Sequence, residues 1–184
     1  MKGNLVDPKT IIIDAKSGTS GAGRTASAMT HYSEMNENFK IYKVNEHKHI
    51  PEIEQQLQRW NSTASTVTFS THLVPMVRGI MATIYASATT ETTEEQLRDL
   101  YQTAYENSPF VRVRKQSEFP STKEVFGTNF CDIGITYDNR TGRITVVSVI
   151  DNLVKGAAGQ AIQNANVLFG FEEKAGLDLI ALYP

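Results

Sequence analysis

Two glycine-rich stretches of this sequence are suited to holding an anion, and the first is DNLVKGAAGQA at residues 151–161. It follows an apolar run, which predicts a strand, a tight turn and a helix in succession. The N-terminus of a helix binds anions because its first backbone N–H groups have no partner within the helix. Gly156 and Gly159 would let a phosphate approach the backbone, and Lys155 would add a positive charge. The alternative interpretation is a turn whose small residues only allow a strand and a helix to pack closely.

The second stretch is SGTSGAGR at residues 17–24. Its glycines predict a tight loop with exposed backbone N–H groups. Ser17, Ser20 and Arg24 are suited to holding a carboxylate or a phosphate, and an arginine can do so through two parallel hydrogen bonds. The alternative interpretation is a flexible surface loop.

A pair of histidines in NEHKH, residues 45–49, is a candidate for proton transfer. His47 and His49 alternate along the chain, so they would share one face at the end of a strand. Together with Glu46 they raise the possibility of a metal site, but third and fourth ligands are missing nearby, and no metal is predicted. An imidazole titrates near neutral pH, so general acid or base chemistry is the functional interpretation. Exposed loop histidines without a role are the alternative.

Cys131 is the only cysteine of the chain. It alternates with Ile133, Ile135 and Tyr137, which predicts a core position on one face of a strand. A catalytic thiol needs an exposed, electropositive setting, so Cys131 is not predicted to be a nucleophile. A single cysteine also excludes an internal disulfide framework and favours a reducing compartment.

The elements that position these residues predict an α+β fold. A β-branched strand at residues 10–16 leads into the serine-rich loop, and an alternating strand at Phe39–Val44 leads to the histidines. A helix capped by Thr92 and Glu95 and a hairpin around the turn at residues 139–142 follow, and the last helix begins near Lys155. This order predicts a mainly antiparallel mixed sheet with helices packed on one face.

Composition restricts the range of functions. The chain has 184 residues, a net charge of −2, and 40% hydrophobic and 21% charged residues, which is typical of one globular domain. Such a charge argues against nucleic acid and anionic membranes as partners. The sequence has no run long enough to span a bilayer, and its first residues lack the apolar region of a signal peptide. A cytoplasmic protein is therefore predicted.

Five blocks carry a resemblance to a known family: IIIDAKSGTSGAGR, NEHKHIPEIEQQL, THLVPMVRGI, GTNFCDIGI and VIDNLVKGAAGQAIQNANVLFGF. They resemble, in order and over almost the whole chain, blocks of the N-acetyl-gamma-glutamyl-phosphate reductases of the semialdehyde dehydrogenase superfamily. The resemblance implies that residues 1–184 form the C-terminal substrate-binding and dimerisation domain, with the fold of the C-terminal domain of glyceraldehyde-3-phosphate dehydrogenase. It also implies that an N-terminal NADP-binding Rossmann domain and the catalytic cysteine lie outside this sequence.

The implied reaction is the NADPH-dependent reduction of N-acetyl-glutamyl phosphate to the semialdehyde, with release of phosphate, in arginine biosynthesis. A histidine would activate the cysteine thiol and steady the developing charge. Carried onto this sequence, the histidine is His47, with His49 as second choice and as a substrate-binding residue. The other residues implied to bind the substrate are Ser17, Ser20 and Arg24. The residues implied to bind the cofactor are Gly18, Asn152, Lys155, Gly156 and Gly159.

These expectations include a homodimer formed through an exposed sheet face, because the strands at residues 79–86 and 143–150 are apolar on both sides. The domain alone is expected to be inactive without the cysteine. Two alternatives stay open: a non-catalytic module that binds small anions or a protein, and a dehydrogenase of the aspartate semialdehyde type. The enzymatic prediction requires that both glycine-rich loops and one imidazole border a single site.

Overall fold

The fold is built on one seven-stranded sheet, as seen in a computed structural model that describes residues 5–62 and 66–182. The strands are β1 (Ile12–Ser17), β2 (Lys40–Tyr42), β3 (Thr68–Leu73), β4 (Ile80–Ser87), β5 (Val111–Val113), β6 (Cys131–Asp138) and β7 (Arg143–Ile150). The α-helices are α1 (Tyr32–Met35), α2 (Ile50–Trp60), α3 (Glu94–Tyr105) and α4 (Gly159–Phe169).

The strand order is β2-β3-β1-β4-β7-β6-β5. Neighbours run antiparallel except for β1 with β3 and β5 with β6, which are parallel. The predicted α+β fold with a mainly antiparallel mixed sheet is therefore confirmed. The predicted hairpin is also confirmed, since β6 and β7 pair along their whole length from Asp138↔Arg143 to Cys131↔Ile150.

Helix α3 covers one face of the sheet, which we call the helix face. Its buried Leu97 packs into a cluster with four side chains of the β6–β7 hairpin: Ile133, Ile135, Ile144 and Val146. Side chains alternate between the two faces of a strand, so Ile84 of β4 and Phe69 of β3 point to this same face. The capping box of α3 is formed by Thr93 and Gln96, one residue after the predicted pair Thr92 and Glu95, because the helix begins at Glu94.

The opposite side of the sheet, the open face, carries the alternate residues of the central strands. Asp14, Met81, Thr83 and Val147 lie there and stay half-exposed. Near the β6 end, a segment that includes Phe119 and Pro120 approaches Gly134 so closely that an added Cβ would lie 3.0 Å from Pro120 Cδ. The centre of the open face is thus accessible within the part of the chain that the structure describes.

Both edge strands are three residues long. The prediction of a strand over Phe39–Val44 was too long, since β2 ends at Tyr42. The chain turns away from the sheet there because Lys43 and Asn45 take left-handed backbone conformations with φ of 47° and 58°. This turn carries the chain to the histidines at residues 47 and 49.

One end of the sheet gathers three loops. Ser17, the last residue of β1, lies opposite Ile80, the first residue of β4, and Ile80 lies opposite Ile150, the last residue of β7. The loop after β1, the turn before β4 and the turn after β7 therefore emerge side by side. The chain after β7 forms a π-helical turn at Val154–Ala158 before α4 begins at Gly159, so the predicted start near Lys155 marks the π-helical turn.

Candidate functional site

The serine-rich loop after β1 is fixed to the turn before β4. Gly18 N donates to Gly79 O over 2.9 Å, Thr19 N to Met76 O over 2.9 Å, and Ser20 N to Val77 O over 3.1 Å. Only glycine fits at position 18, because a Cβ there would lie 2.8 Å from Val77 O. The start of the loop is thus anchored, while its later residues, including Arg24, are exposed.

Asn152 joins this loop to the turn after β7. Its Oδ1 accepts a hydrogen bond from Gly79 N over 2.7 Å, and its Nδ2 donates to Ser20 Oγ over 2.9 Å. Ser17 lies beside this junction, since a Cβ on Gly21 would approach both Ser17 Oγ and Asn152 Nδ2. The two glycine-rich stretches that the sequence singled out therefore meet directly.

Asp151 organises the same junction and was not assigned a role from the sequence. Its buried carboxylate accepts hydrogen bonds from Arg78 Nε over 3.1 Å and Arg78 Nη2 over 2.8 Å. It also accepts from the backbone N–H groups of Gly127 over 2.8 Å, Leu153 over 2.8 Å and Val154 over 3.0 Å. Burial alone would raise the pKa of Asp151, but the Arg78 guanidinium and these amides lower it below its usual value. An aspartate two or three residues before a helix can bond the first free amides of the turn, a signal that could have revealed this role.

These bonds change the interpretation of the turn after β7. Leu153 N and Val154 N are bonded to Asp151 Oδ1, and Gly156 N donates to Asp151 O over 3.0 Å. The hypothesis that unpaired amides of this turn receive a phosphate therefore does not hold for these three groups. The turn supplies its own anion, the carboxylate of Asp151.

The other residues predicted in this turn occupy different settings. Lys155 is half-buried, and its Nζ donates to Gln163 Oε1 over 2.6 Å. Burial lowers the pKa of Lys155, although nearby Cys131 and Glu173 act in the opposite direction. Gly159 is buried, and a Cβ there would lie 2.4 Å from Asn129 Oδ1. Gly156, in contrast, is exposed.

His47 is half-buried in an aromatic cluster on the helix face. Its ring lies 5.3 Å from that of Phe69, 5.9 Å from that of Tyr42 and 4.9 Å from that of His49. Burial lowers the pKa of His47, and the neighbouring His49, Lys43 and Lys48 lower it further. The imidazole is therefore mainly neutral at neutral pH, whereas His49 is exposed.

The backbone sets the tautomer of the neutral His47 ring. The N–H of His49 donates to His47 Nδ1 over 3.3 Å. An amide N–H can only donate, so Nδ1 must accept and the ring proton lies on Nε2. The geometry thus presents His47 as a hydrogen-bond donor through Nε2, which is suited to stabilising negative charge on a substrate oxygen.

The imidazole and the glycine-rich loops lie on the same sheet face, at different positions along the strands. Phe69, which His47 contacts, pairs with Ile13, four residues before Ser17 on β1. Tyr42, which His47 also contacts, pairs with Thr71, and Thr71 lies opposite Ala15, two residues before Ser17. Two to four residues of strand correspond to about 7–13 Å. The structure thus joins Ser17, Ser20 and Asn152, and it places His47 and His49 further along the same face.

Cys131 occupies the core position that the sequence predicts. Its Sγ lies 3.3 Å from Ser148 Oγ, beside the Leu97 cluster. Burial raises the pKa of the thiol, although Ser148 and Lys155 act in the opposite direction. A thiol of this kind is a poor nucleophile at neutral pH.

Two further findings concern the described residues alone. In residues 5–62 and 66–182, no group of three or more His, Cys, Asp or Glu is placed to hold a metal ion. Within the same ranges, no helix combines the length and the apolar character that crossing a bilayer requires.

Comparison with known proteins shows which family the chain resembles. Residues 1–152 match the family model described as semialdehyde dehydrogenase, dimerisation domain. The whole chain is 66% identical to a protein of Geobacillus sp. (strain WCH70), and 97% of it is 68% identical to one of Halalkalibacterium halodurans. Both are named N-acetyl-gamma-glutamyl-phosphate reductase. The chain spans 53% and 52% of these relatives, or about half their length.

Solved structures show the same fold at low sequence identity. Aspartate semialdehyde dehydrogenase II from Vibrio cholerae superposes with a TM-score of 0.69 at 20% identity, over 90% of this chain and 56% of that one. A probable aspartate-semialdehyde dehydrogenase from Pseudomonas aeruginosa gives a TM-score of 0.68 at 12% identity, over 89% and 56% of the two chains. At such identities the likeness extends to the fold alone.

Proposed function

Because the chain belongs to the semialdehyde dehydrogenase dimerisation-domain family, we propose that it is the substrate-binding and dimerisation half of an N-acetyl-gamma-glutamyl-phosphate reductase. Such an enzyme would reduce N-acetyl-glutamyl phosphate to the semialdehyde with NADPH and release phosphate, a step of arginine biosynthesis. The observation that carries the proposal is the junction of Ser20 and Asn152, which brings both predicted loops to one end of the sheet. Identity of 59–68% to relatives of that name supports the acetylated substrate.

We propose that the nucleophile is supplied by the other half of the enzyme. Cys131 is the only cysteine here, and its burial disqualifies it. The thiolate would attack the acyl carbon and expel phosphate, and hydride transfer to the thioester would give a tetrahedral adduct that releases the aldehyde and the thiol. Negative charge develops on the carbonyl oxygen in both additions. His47 would stabilise this negative charge by donating a hydrogen bond from Nε2. The family resemblance implies this role for a histidine, besides activation of the cysteine thiol.

The cofactor is proposed to be NADP, whose reduced form, NADPH, would supply the hydride. Of the residues predicted to bind it, Gly156 is exposed and offers backbone that a ligand can approach. Asn152 and Gly159 are buried, and Lys155 Nζ is bonded to Gln163, so these residues would position the turn. Gly18 is buried against Val77 and would act in the same indirect way.

The exposed apolar residues at the C-terminal end of α4 and just beyond it suit contact with the other half of the enzyme. Val167, Leu168, Phe169 and Phe171 are 63–78% exposed. A contiguous apolar surface of this kind usually marks an interface. We propose that it packs against the N-terminal nucleotide-binding domain, and that the open face of the sheet forms the homodimer contact.

A chimera tests the proposed activity. This chain would replace the matching half of the Geobacillus sp. relative, which supplies the N-terminal half. We expect phosphate-dependent reduction of NADP with N-acetyl-glutamate semialdehyde and little with aspartate semialdehyde. An inactive chimera beside an active parent, or a preference for aspartate semialdehyde, would contradict the proposal. The isolated chain is the negative control, and turnover by it would show that no other half is needed.

The two histidines can be separated in the same chimera. His47→Ala removes the Nε2 donor and should lower kcat by about 10²-fold or more, a typical loss for one oxyanion donor. His47→Gln keeps an N–H donor and should retain part of the activity, whereas a general base would be lost equally in both variants. His49→Gln is the matched control and should have a smaller effect. Equal losses for His47→Ala and His47→Gln would refute the donor role.

A further inference from the structure

A directed chain of hydrogen bonds fixes the polarity of the Ser20 hydroxyl. The chain starts at the backbone N–H of Gly79, which can only donate and does so to Asn152 Oδ1 over 2.7 Å. This bond is buried, and it orients the Asn152 amide without ambiguity. The Nδ2 end of Asn152 therefore points away from Gly79 and towards Ser20 Oγ, 2.9 Å away.

The Ser20 hydroxyl uses its only hydrogen within the protein. Its oxygen accepts from Asn152 Nδ2, so its hydrogen must point elsewhere, and Val77 O lies 2.6 Å away to accept it. A serine hydroxyl has one hydrogen and two lone pairs. One lone pair is taken by Asn152 and the hydrogen by Val77, which leaves a single lone pair on the half-buried Ser20 oxygen.

This polarity determines which ligand groups Ser20 can recognise. A carboxylate or an acyl phosphate offers only acceptors, and an acceptor facing the remaining lone pair would be repelled. The sequence-based expectation that Ser20 holds such an anion as a donor does not fit this arrangement. A donor group, such as the N–H of an amide, fits it directly.

We propose that Ser20 determines substrate specificity by accepting a hydrogen bond from the acetamido N–H of the substrate, with Asn152 as the residue that positions it. This inference rests on the proposed function, since the acetamido group is the only amide of that substrate. The carboxylate and the acyl phosphate of the substrate would be bound by other residues. Ser20 would thus recognise the acetylated amino group of the substrate.

The test uses the active chimera and two substrates that differ only in one linking group, N–H in the first and oxygen in the second. The first is N-acetyl-glutamate semialdehyde, and the second is its ester analogue, in which oxygen replaces the amide N–H. The chimera should prefer the amide by about tenfold in kcat/KM, mostly through KM, because one neutral hydrogen bond is lost and a lone pair is opposed. Ser20→Ala should reduce this preference to about twofold or less.

Thr19→Val is the matched control. Thr19 is the preceding residue, and its hydroxyl donates to Met76 O of the same turn over 3.3 Å, so the variant removes a comparable structural hydrogen bond. The amide preference should persist in Thr19→Val. Retention of the full preference in Ser20→Ala would overturn the inference, and so would equal use of both substrates by the unmodified chimera, which requires no variant to fold. Absence of turnover with the amide substrate itself would instead refute the proposed function, and the inference with it.

Discussion

Single buried carboxylates organise the chain at the residue scale. Asp151 connects three segments through Arg78, Gly127 and the start of the π-helical turn. Asp132 of β6 plays a similar part at the β5 edge, where its buried carboxylate pairs with Arg112 over 2.6 Å and also with Arg114. Each carboxylate is stable in the interior because a guanidinium and further donors compensate for its lost hydration.

Asp151→Asn should destabilise the domain strongly. The asparagine keeps the shape but leaves the Arg78 guanidinium without a counter-charge, and breaking such a buried pair costs about 3 kcal/mol of the free energy of unfolding. The corresponding fall in Tm is roughly 10 °C for a chain of this size. Asp138→Asn is the matched control, since Asp138 pairs with Arg140 at the surface over 3.1 Å, and it should change Tm little.

The same substitution should alter the acid limb of the stability curve. The pKa of Asp151 is lower in the folded than in the unfolded state, so its contribution is present above the unfolded pKa of about 3.9 and is lost as pH falls through the folded pKa. Asp151→Asn removes this contribution, and its unfolding free energy should fall less steeply below about pH 4. Urea unfolding between pH 2 and 7 measures the effect, and parallel curves for both proteins would contradict it.

At the residue scale, the sequence predicts which residue types gather but not which of their groups are already bonded. Ser20 and Asn152 are hydrogen-bonded neighbours in the structure, yet the direction of their bond follows from the Gly79 N–H, which lies in a different loop. Asp151 is the first residue of the stretch DNLVKGAAGQA, but the sequence alone predicts no role for it. Its partner Arg78 is 73 residues away, and only the folded chain shows that pairing.

At the element scale, the packing between the π-helical turn and α4 requires a glycine at position 159. At Gly159 an added Cβ would lie 2.4 Å from Asn129 Oδ1 and 2.7 Å from Val154 Cγ1. At Gly156 the nearest atom would be Ile150 Cδ1 at 3.4 Å, the flexible end of a side chain. Two glycines of one turn thus have opposite reasons to be present: Gly159 for close packing, Gly156 for an accessible backbone.

Gly159→Ala should therefore lower the free energy of unfolding by about 1–3 kcal/mol, because the new methyl group overpacks the junction. Gly156→Ala should leave stability unchanged or raise it slightly, since alanine is the better helix former by up to about 1 kcal/mol. Denaturant unfolding of both variants gives the comparison. In the chimera, Gly156→Ala should raise KM for NADPH if the cofactor approaches this backbone, and an unchanged KM would exclude Gly156 from the cofactor site.

At the element scale, local patterns predict the helices and the hairpin well because these elements depend on neighbours in sequence. Helix α3 begins two residues after the predicted cap at Thr92, and β6 and β7 flank the predicted turn at residues 139–142. The start of α4 shifts from Lys155 to Gly159 because a π-helical turn comes first. The parallel pairing of β1 with β3 joins residues 56 positions apart in the chain, and no local pattern specifies it.

At the scale of the whole molecule, two surfaces are suited to contact with another chain or domain: the open face of the sheet and the exposed C-terminal end of α4. Val147 lies half-exposed at the centre of the first, and Leu168 is 78% exposed on the second. The family description names dimerisation, and the apolar character of both sides of β4 and β7 predicts the sheet as the contact. The sequence alone cannot assign the two surfaces, because exposure is a property of the assembled fold.

Two substitutions that introduce a charge can show which of these surfaces forms the dimer contact. Val147→Lys places a charge at the centre of the open face and should convert a dimer to a monomer in sedimentation, because the contact would bury that charge without a partner. Leu168→Lys is the matched variant on α4 and should leave the dimer intact while reducing any further association of the isolated chain. If Leu168→Lys alone abolished the dimer, α4 and not the sheet would be the contact.

The bond between Ser20 and Asn152 spans 132 positions of the chain. Closing so long a segment costs configurational entropy before the contact returns any energy, so we expect the bond to form late in folding. Substitutions there should accelerate unfolding and leave the refolding rate nearly unchanged, the kinetic signature of contacts absent from the transition state. Such rates would mean that the contact proposed to select the substrate becomes ordered only after the sheet that carries it.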